Sequence, residues 1–158
     1  MSGVSMRVTF DDAVLRQHLT ALALARPEKM SALMRDIGED ILGDAQDNIH
    51  YQRLVDGGAM PQSEASKGRG TTTKSGRKRP GKTLLDKGNL RDSYTYQLGG
   101  GVLEVGSNLV YAAIHHFGGQ AGRGKKTTIL ARPVLGVNAK REEAIATKLG
   151  RALLEMTR

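Results

Sequence analysis

The chain has 158 residues, 39% hydrophobic and 25% charged, with 24 Lys and Arg against 16 Asp and Glu, a formal net charge of +8. That is the length of one domain, and 20 Gly, no Trp and 4% aromatics make its core aliphatic and its loops substantial. The lack of cysteine excludes a disulfide scaffold, a thiolate metal site and a cysteine nucleophile, and no apolar run approaches the ~18 residues of a membrane span.

In chain order, Arg7-Val8-Thr9-Phe10 alternates polar and apolar residues and predicts a short strand. Asp11-Asp12 offers an N-cap for a helix carrying Leu15, Leu19 and Leu22 to about Ala25. Pro27 starts a second helix, with Met30, Leu33, Met34, Ile37, Ile41, Ala45 and Ile49 in one apolar stripe. Its other face carries Asp36, Glu39, Asp40, Asp44 and Asp47, an acidic surface in solvent. Residues 57–83 have no periodicity and predict a long, flexible loop. Asn89–Ser93 predicts a helical turn. Tyr94–Leu98 and Val102–Gly106 predict a hairpin across three glycines, with Tyr94, Tyr96 and Leu98 on one face. Val110–Phe117 predicts a helix stopped by Gly118-Gly119. After a second basic loop, Arg123–Lys126, Thr127–Leu130 predicts a third hairpin-linked strand, ended by Pro133. Asn138 caps a last helix striped by Ile145, Leu149, Ala152, Leu153 and Met156. The expected fold is one α+β domain over residues 1–158: N-terminal helices, a long basic loop, a small antiparallel sheet and a C-terminal helix.

The charge is polarised. Residues 1–64 hold 6 basic and 10 acidic residues, net −4, and residues 65–158 hold 18 and 6, net +12. Residues 65–85 contain Lys67, Arg69, Lys74, Arg77, Lys78, Arg79 and Lys82 and no acid. Such a segment buries too little apolar surface to offset its ordering entropy and suits contact with an anionic partner. A purely solvated loop is the plainer alternative.

Gly76-Arg77-Lys78-Arg79-Pro80-Gly81-Lys82-Thr83 matches the phosphate-loop pattern G-x-x-x-x-G-K-[ST]. That motif needs a buried strand before it and a helix after it. Ser66–Ser75 contains no apolar run, and Leu84-Leu85-Asp86-Lys87-Gly88 breaks within a turn, so Gly76, Gly81, Lys82 and Thr83 are rejected as a nucleotide site. His115 and His116 are adjacent and cannot share one metal from a helix face, while His18 and His50 lack ligand spacing. Ser93 beside Asp92 has no nucleophile elbow around it, and Glu39-Asp40 and Glu142-Glu143 fall on polar helical faces. No constellation supports an enzyme, a metal or a cofactor. Nucleic acid is the alternative partner, held by the backbone without sequence preference, with Tyr94, Tyr96 and Tyr111 as the available stacking residues.

Three segments in order carry a resemblance. They are Leu84-Leu85-Asp86-Lys87-Gly88-Asn89-Leu90-Arg91-Asp92-Ser93; Glu104–Asn108 followed by Tyr111-Ala112-Ala113-Ile114-His115-His116-Phe117-Gly118-Gly119; and Ala131-Arg132-Pro133-Val134-Leu135-Gly136. Their order and spacing resemble the virion morphogenesis and tail completion proteins of tailed phages, similar to those of Mu-like phages. Lys87, Ile129-Leu130 and Val134 depart from the residues usual there.

The resemblance implies a structural virion protein at the head–tail junction, a neck, connector or tail-terminator component assembled in the host bacterial cytoplasm. It would complete the tail and join it to the head as a ring of copies, with six expected from tail symmetry. Implied partners are neighbouring copies and tail-tube, terminator or head-completion proteins. The basic loop would reach a neighbouring ring or contact packaged DNA. Asp86, Gly88, Leu90, Arg91, Ser93, Tyr111, Ala112, His115, Phe117, Gly118, Arg132 and Pro133 would be structural motif residues, with Arg91, Asp92 and Arg132 fixing turns through charge-assisted hydrogen bonds. The acidic helix and basic second part would meet head to tail between copies. The competing reading is a non-specific nucleic-acid-binding protein acting through residues 65–85.

Overall fold

The structure, a computed structural model, describes residues 3–7, 13–68, 70–72, 76, 78–79 and 81–156. Its elements are β1 (Val4–Arg7), α1 (Ala13–Ala25), α2 (Pro27–Tyr51), α3 (Glu64–Gly68), β2 (Thr71–Thr72), β3 (Lys78–Arg79), α4 (Asn89–Asp92), β4 (Tyr94–Gly99), β5 (Val102–Ser107), α5 (Val110–Phe117), β6 (Gly119–Ala121), β7 (Thr127–Ile129) and α6 (Ala139–Met156). The α+β class is the one expected.

The apolar stripe of α2 organises the molecule. Ile37, Ile41, Ala45 and Ile49 are all buried, and burying each isoleucine contributes about 1.5–3 kcal/mol. Pro27 occupies the first turn, where its missing N–H costs nothing. At the far end Gln52 turns left-handed at φ 57° and stops the helix.

Helix α2 lies across one face of a three-stranded antiparallel sheet ordered β1-β5-β4. Met6, Val105 and Tyr96 stand in one row, and Val4, Ser107 and Tyr94 in the next. All these except the half-buried Met6 and Tyr96 are buried. Gly38 lets helix and sheet approach, since a Cβ there would stand 3.0 Å from Leu103 and from the Tyr96 ring. The β4–β5 hairpin turns on Gly100 and Gly101, both at positive φ as a primed two-residue turn requires, so the expected connection is one residue shorter. Helices α1 and α6 pack beside α2. Asn138 caps α6, its Oδ1 accepting the Arg141 N–H at 2.9 Å.

Four expectations change. The first strand is Val4–Arg7, because Val4 and Met6 supply the inward residues opposite Ser107 and Val105. Residues 8–10 and the predicted Asp11-Asp12 cap lie outside the described residues. Thr127–Ile129 does not join the main sheet. It pairs with Gly119–Ala121 in a separate two-stranded ribbon that follows α5 without a loop. The acidic face of α2 is partly covered, Glu39 and Asp47 staying exposed: Asp36 and Asp40 receive Lys148 at 2.5 and 2.7 Å, and Asp40 and Asp44 receive Arg141 at 2.8 and 2.6 Å. Finally, the stretch expected as structureless contains α3 and a short β2–β3 pairing, Thr71↔Arg79 and Thr72↔Lys78.

Candidate functional site

The root of the basic loop is closed by buried polar groups. Ser66 and Thr83 are 0% and 1% exposed, and their hydroxyls lie 3.0 Å apart. Thr83 Oγ1 also accepts the Ser63 N–H at 3.0 Å, and Ser66 Oγ donates to the Ser63 carbonyl at 2.7 Å. The left-handed Gln52 completes the junction, its amide accepting from the Thr83 N–H at 2.6 Å and donating to the Thr83 carbonyl at 2.9 Å. The Gly81 N–H donates to the Ser66 carbonyl at 2.9 Å. The side chains satisfy one another, which is the condition for burying them without penalty. The two ends of the loop, hereafter the arm, therefore start from one fixed base.

Of the arm's seven cations, Arg69, Lys74 and Arg77 lie outside the described residues, and Lys78 and Arg79 are described by their strand pairing alone. Lys67 is exposed and pairs with Glu64, while Lys82 Nζ donates to the His50 carbonyl at 2.7 Å. In a phosphate loop the Thr83 hydroxyl would face a metal. Here the Thr83 hydroxyl is buried in the junction, and no helix begins at Lys82.

Beside the arm's base lies a groove of about 520 Å³. All three motif segments reach it: Asp86 and Leu90 from the first, Tyr111 and His115 from the second, Arg132 from the third. Arg132 is 4% exposed and donates Nε–H to the Pro61 carbonyl at 2.7 Å and Nη1–H to the Leu130 carbonyl at 3.0 Å. It thus joins the segment before α3 to the residue after β7. Desolvation lowers its pKa without threatening its charge. His115 stands on the same wall, its backbone carbonyl accepting the Arg132 N–H at 2.8 Å. Its Nδ1 and that of His116 are buried without a hydrogen-bond partner. Desolvation holds both imidazoles below their ordinary pKa, and Arg132 adds to the effect on His115.

The remaining motif residues build the frame. Gly88 takes φ 88° before α4, and buried Leu90 joins the core. Ser93 Oγ donates to the Leu90 carbonyl and meets Ser107 Oγ at 2.7 Å. Ala112 is buried under α5. Gly118 ends α5 at φ 75°, where a Cβ would stand 2.8 Å from the Ala131 nitrogen. The Pro133 carbonyl accepts the Val55 N–H at 2.9 Å. Arg91 follows the glycine turn and donates its Nε–H to the adjacent Asp92 at 2.6 Å on the surface. Phe117 is not part of the groove lining and is 69% exposed.

The aromatic platform considered for nucleic acid is largely withdrawn. Tyr94 is buried and its phenol is pushed up to about 12 by desolvation, and Tyr96 is half-buried with its hydroxyl on Glu39 at 3.2 Å. Tyr111 remains open at the groove. The sequence reading missed the groove itself and the Ser66–Thr83 junction. The order of the three motifs was the available signal for the first.

A model of the phage virion morphogenesis family matches residues 10–154. The chain is 51% identical over 57 residues, 36% of its length, to a protein of Haemophilus influenzae described as Mu-like prophage FluMu G protein 2. That match spans 41% of the relative. No solved structure matches the chain.

Proposed function

The chain belongs to the phage virion morphogenesis family and serves in building the phage particle, and within that role we propose that it acts at the neck. In this reading it completes or terminates the tail and joins it to the head as a ring of copies, six in number. It acts by protein contacts and not as a catalyst. The observation that carries the reading is the convergence of the three motif segments on one open groove beside a firmly rooted basic arm. Among the described residues no nucleophile–base pair forms there, whereas exposed Tyr111 and Leu130 beside Arg132 suit a contact surface.

The pairing of Asp36, Asp40 and Asp44 with α6 alters how copies would meet. Those carboxylates are already matched within the chain, so electrostatic contact between copies falls to the basic arm and to acids elsewhere. The arm would reach a neighbouring ring, with packaged DNA as the second candidate, favoured by seven cations without an acid in residues 65–85.

Removing residues 67–82 and closing the gap tests the proposal. Complete heads and complete tails that fail to join, seen by electron microscopy, are expected. Normal particles, together with loss of salt-sensitive duplex DNA binding by the free protein, would replace the neck reading with the nucleic-acid one.

A further inference from the structure

We propose that the groove receives an extended, acidic segment of a partner protein, which adds as a strand along the free edge of β7. The inference concerns what occupies the groove and holds or fails independently of the neck assignment.

The geometry of the lining carries it. Thr127, Thr128, Ile129 and Leu130 all border the groove. Successive side chains of a strand point to opposite faces, so a surface that meets four consecutive residues meets the strand along its edge. No residue of β6 borders the groove, and β7 pairs with β6 alone. The groove therefore runs along the edge of β7 that no described strand covers. Such an edge presents alternating N–H and C=O groups, which another peptide backbone matches and a phosphate backbone, having acceptors only, does not.

The walls indicate what the segment carries. Leu84 and Leu90 line the groove, and Tyr111 and Leu130 remain 43% and 55% exposed at it, an apolar lining for alternate side chains of an added strand. Two cations, Lys87 and Arg132, border the groove against two acids, Glu64 and Asp86, and three further cations, Arg123, Lys125 and Lys126, lead directly into β7 and tip the balance to positive. None of these five has an acidic partner among the described residues, and the two guanidinium bonds of Arg132 go to neutral carbonyls. Of the two acids at the groove, Glu64 is paired with Lys67. An incoming strand with acidic and apolar residues in alternation satisfies both features.

The test uses the full chain, isotope-labelled, titrated with a synthetic peptide of alternating Val and Glu while backbone amide shifts are followed. Three further probes are the same peptide N-methylated at every backbone nitrogen, an alternating Val and Lys peptide, and a short DNA duplex. Shifts centred on Thr127–Leu130 are expected. The N-methylated peptide should bind at least about 10-fold more weakly, since each lost backbone bond costs roughly 5-fold, and the Lys peptide at least about 10-fold more weakly, since it brings like charge to a basic edge. Leu130→Asp, at an exposed position that leaves folding intact, should weaken the Glu peptide by about 5-fold or more. Binding of the methylated or Lys peptide within about two-fold of the Glu peptide overturns the proposal, as does silence of the β7 amides. Equal β7 shifts with DNA would assign the groove to nucleic acid. Shifts of the same amides on concentrating the protein alone would assign it to a second copy.

Discussion

Ser66 and Thr83 are 17 residues apart in the chain, yet their hydroxyls share a buried hydrogen bond of 3.0 Å at the root of the basic arm. Between them run seven of the 24 Lys and Arg of the chain, with no acid among them. Thr83→Val keeps the shape and removes the hydroxyl, leaving the Ser63 N–H without its acceptor at Thr83 and Ser66 with one partner fewer. A loss of about 1–3 kcal/mol is expected in urea unfolding. A change below the error of the measurement would show that the junction adds nothing to stability.

Arg141 makes a two-pronged pair with Asp44, at 2.6 and 2.8 Å, and reaches Asp40 as well. Its side chain is 21% exposed, so the pair lies between the surface and interior cases. Arg141→Met should cost about 1 kcal/mol at low salt, and the cost should shrink by roughly half in 1 M NaCl. Unfolding curves at both ionic strengths decide this. A salt-independent loss would point to packing of the arginine stem instead of charge.

Two glycines should respond in opposite directions to alanine. Gly118 stands at φ 75° with the Ala131 nitrogen 2.8 Å from an added Cβ, so Gly118→Ala is expected to cost about 1–3 kcal/mol. Gly43 lies within α2 with nothing within 4 Å of an added Cβ, so Gly43→Ala should stabilise by about 0.5–1 kcal/mol. Melting temperatures of the two variants, moving down and up respectively, are the readout.

Acid should destabilise the fold through His115 and His116. Burial lowers both pKa values from 6.5, so between that value and the folded-state pKa the unfolded chain binds more protons. Their contribution is complete above about pH 6.5, falls as pH drops through the window, and levels off below the folded pKa. Urea unfolding at pH 7.0 and 5.5 should show this loss, and the double variant His115→Gln, His116→Gln should show less of it. An unchanged pH dependence in the variant would assign the effect to other groups.

The legible parts of the fold are those whose signal is local. The α2 stripe repeats every three or four residues, Gly100 and Gly101 supply the φ their turn demands, and Asn138 stands where a cap belongs. Polar pairing across distance left no such signal. Asp36, Asp40 and Asp44 read as a solvated face because Arg141 and Lys148 lie roughly a hundred positions later. Strand β6 is Gly119-Gln120-Ala121, a composition with no strand preference, and forms because Gly118 redirects the chain alongside β7. The motif residues were legible as a set through their resemblance to one family. Their meeting at a groove was not, since spacing along a chain does not say which side chains turn toward the same space.

Arg132 also has a mechanical meaning. It fastens the Pro61 carbonyl, at the foot of the arm, to the Leu130 carbonyl at the end of β7, while Ser66 and Thr83 fasten the arm to itself. The base of the arm and the wall of the groove therefore share one anchoring side chain, beside the apolar contacts that Met60, Leu84 and Leu85 make with the core. A change that displaces Arg132 would disturb both surfaces together.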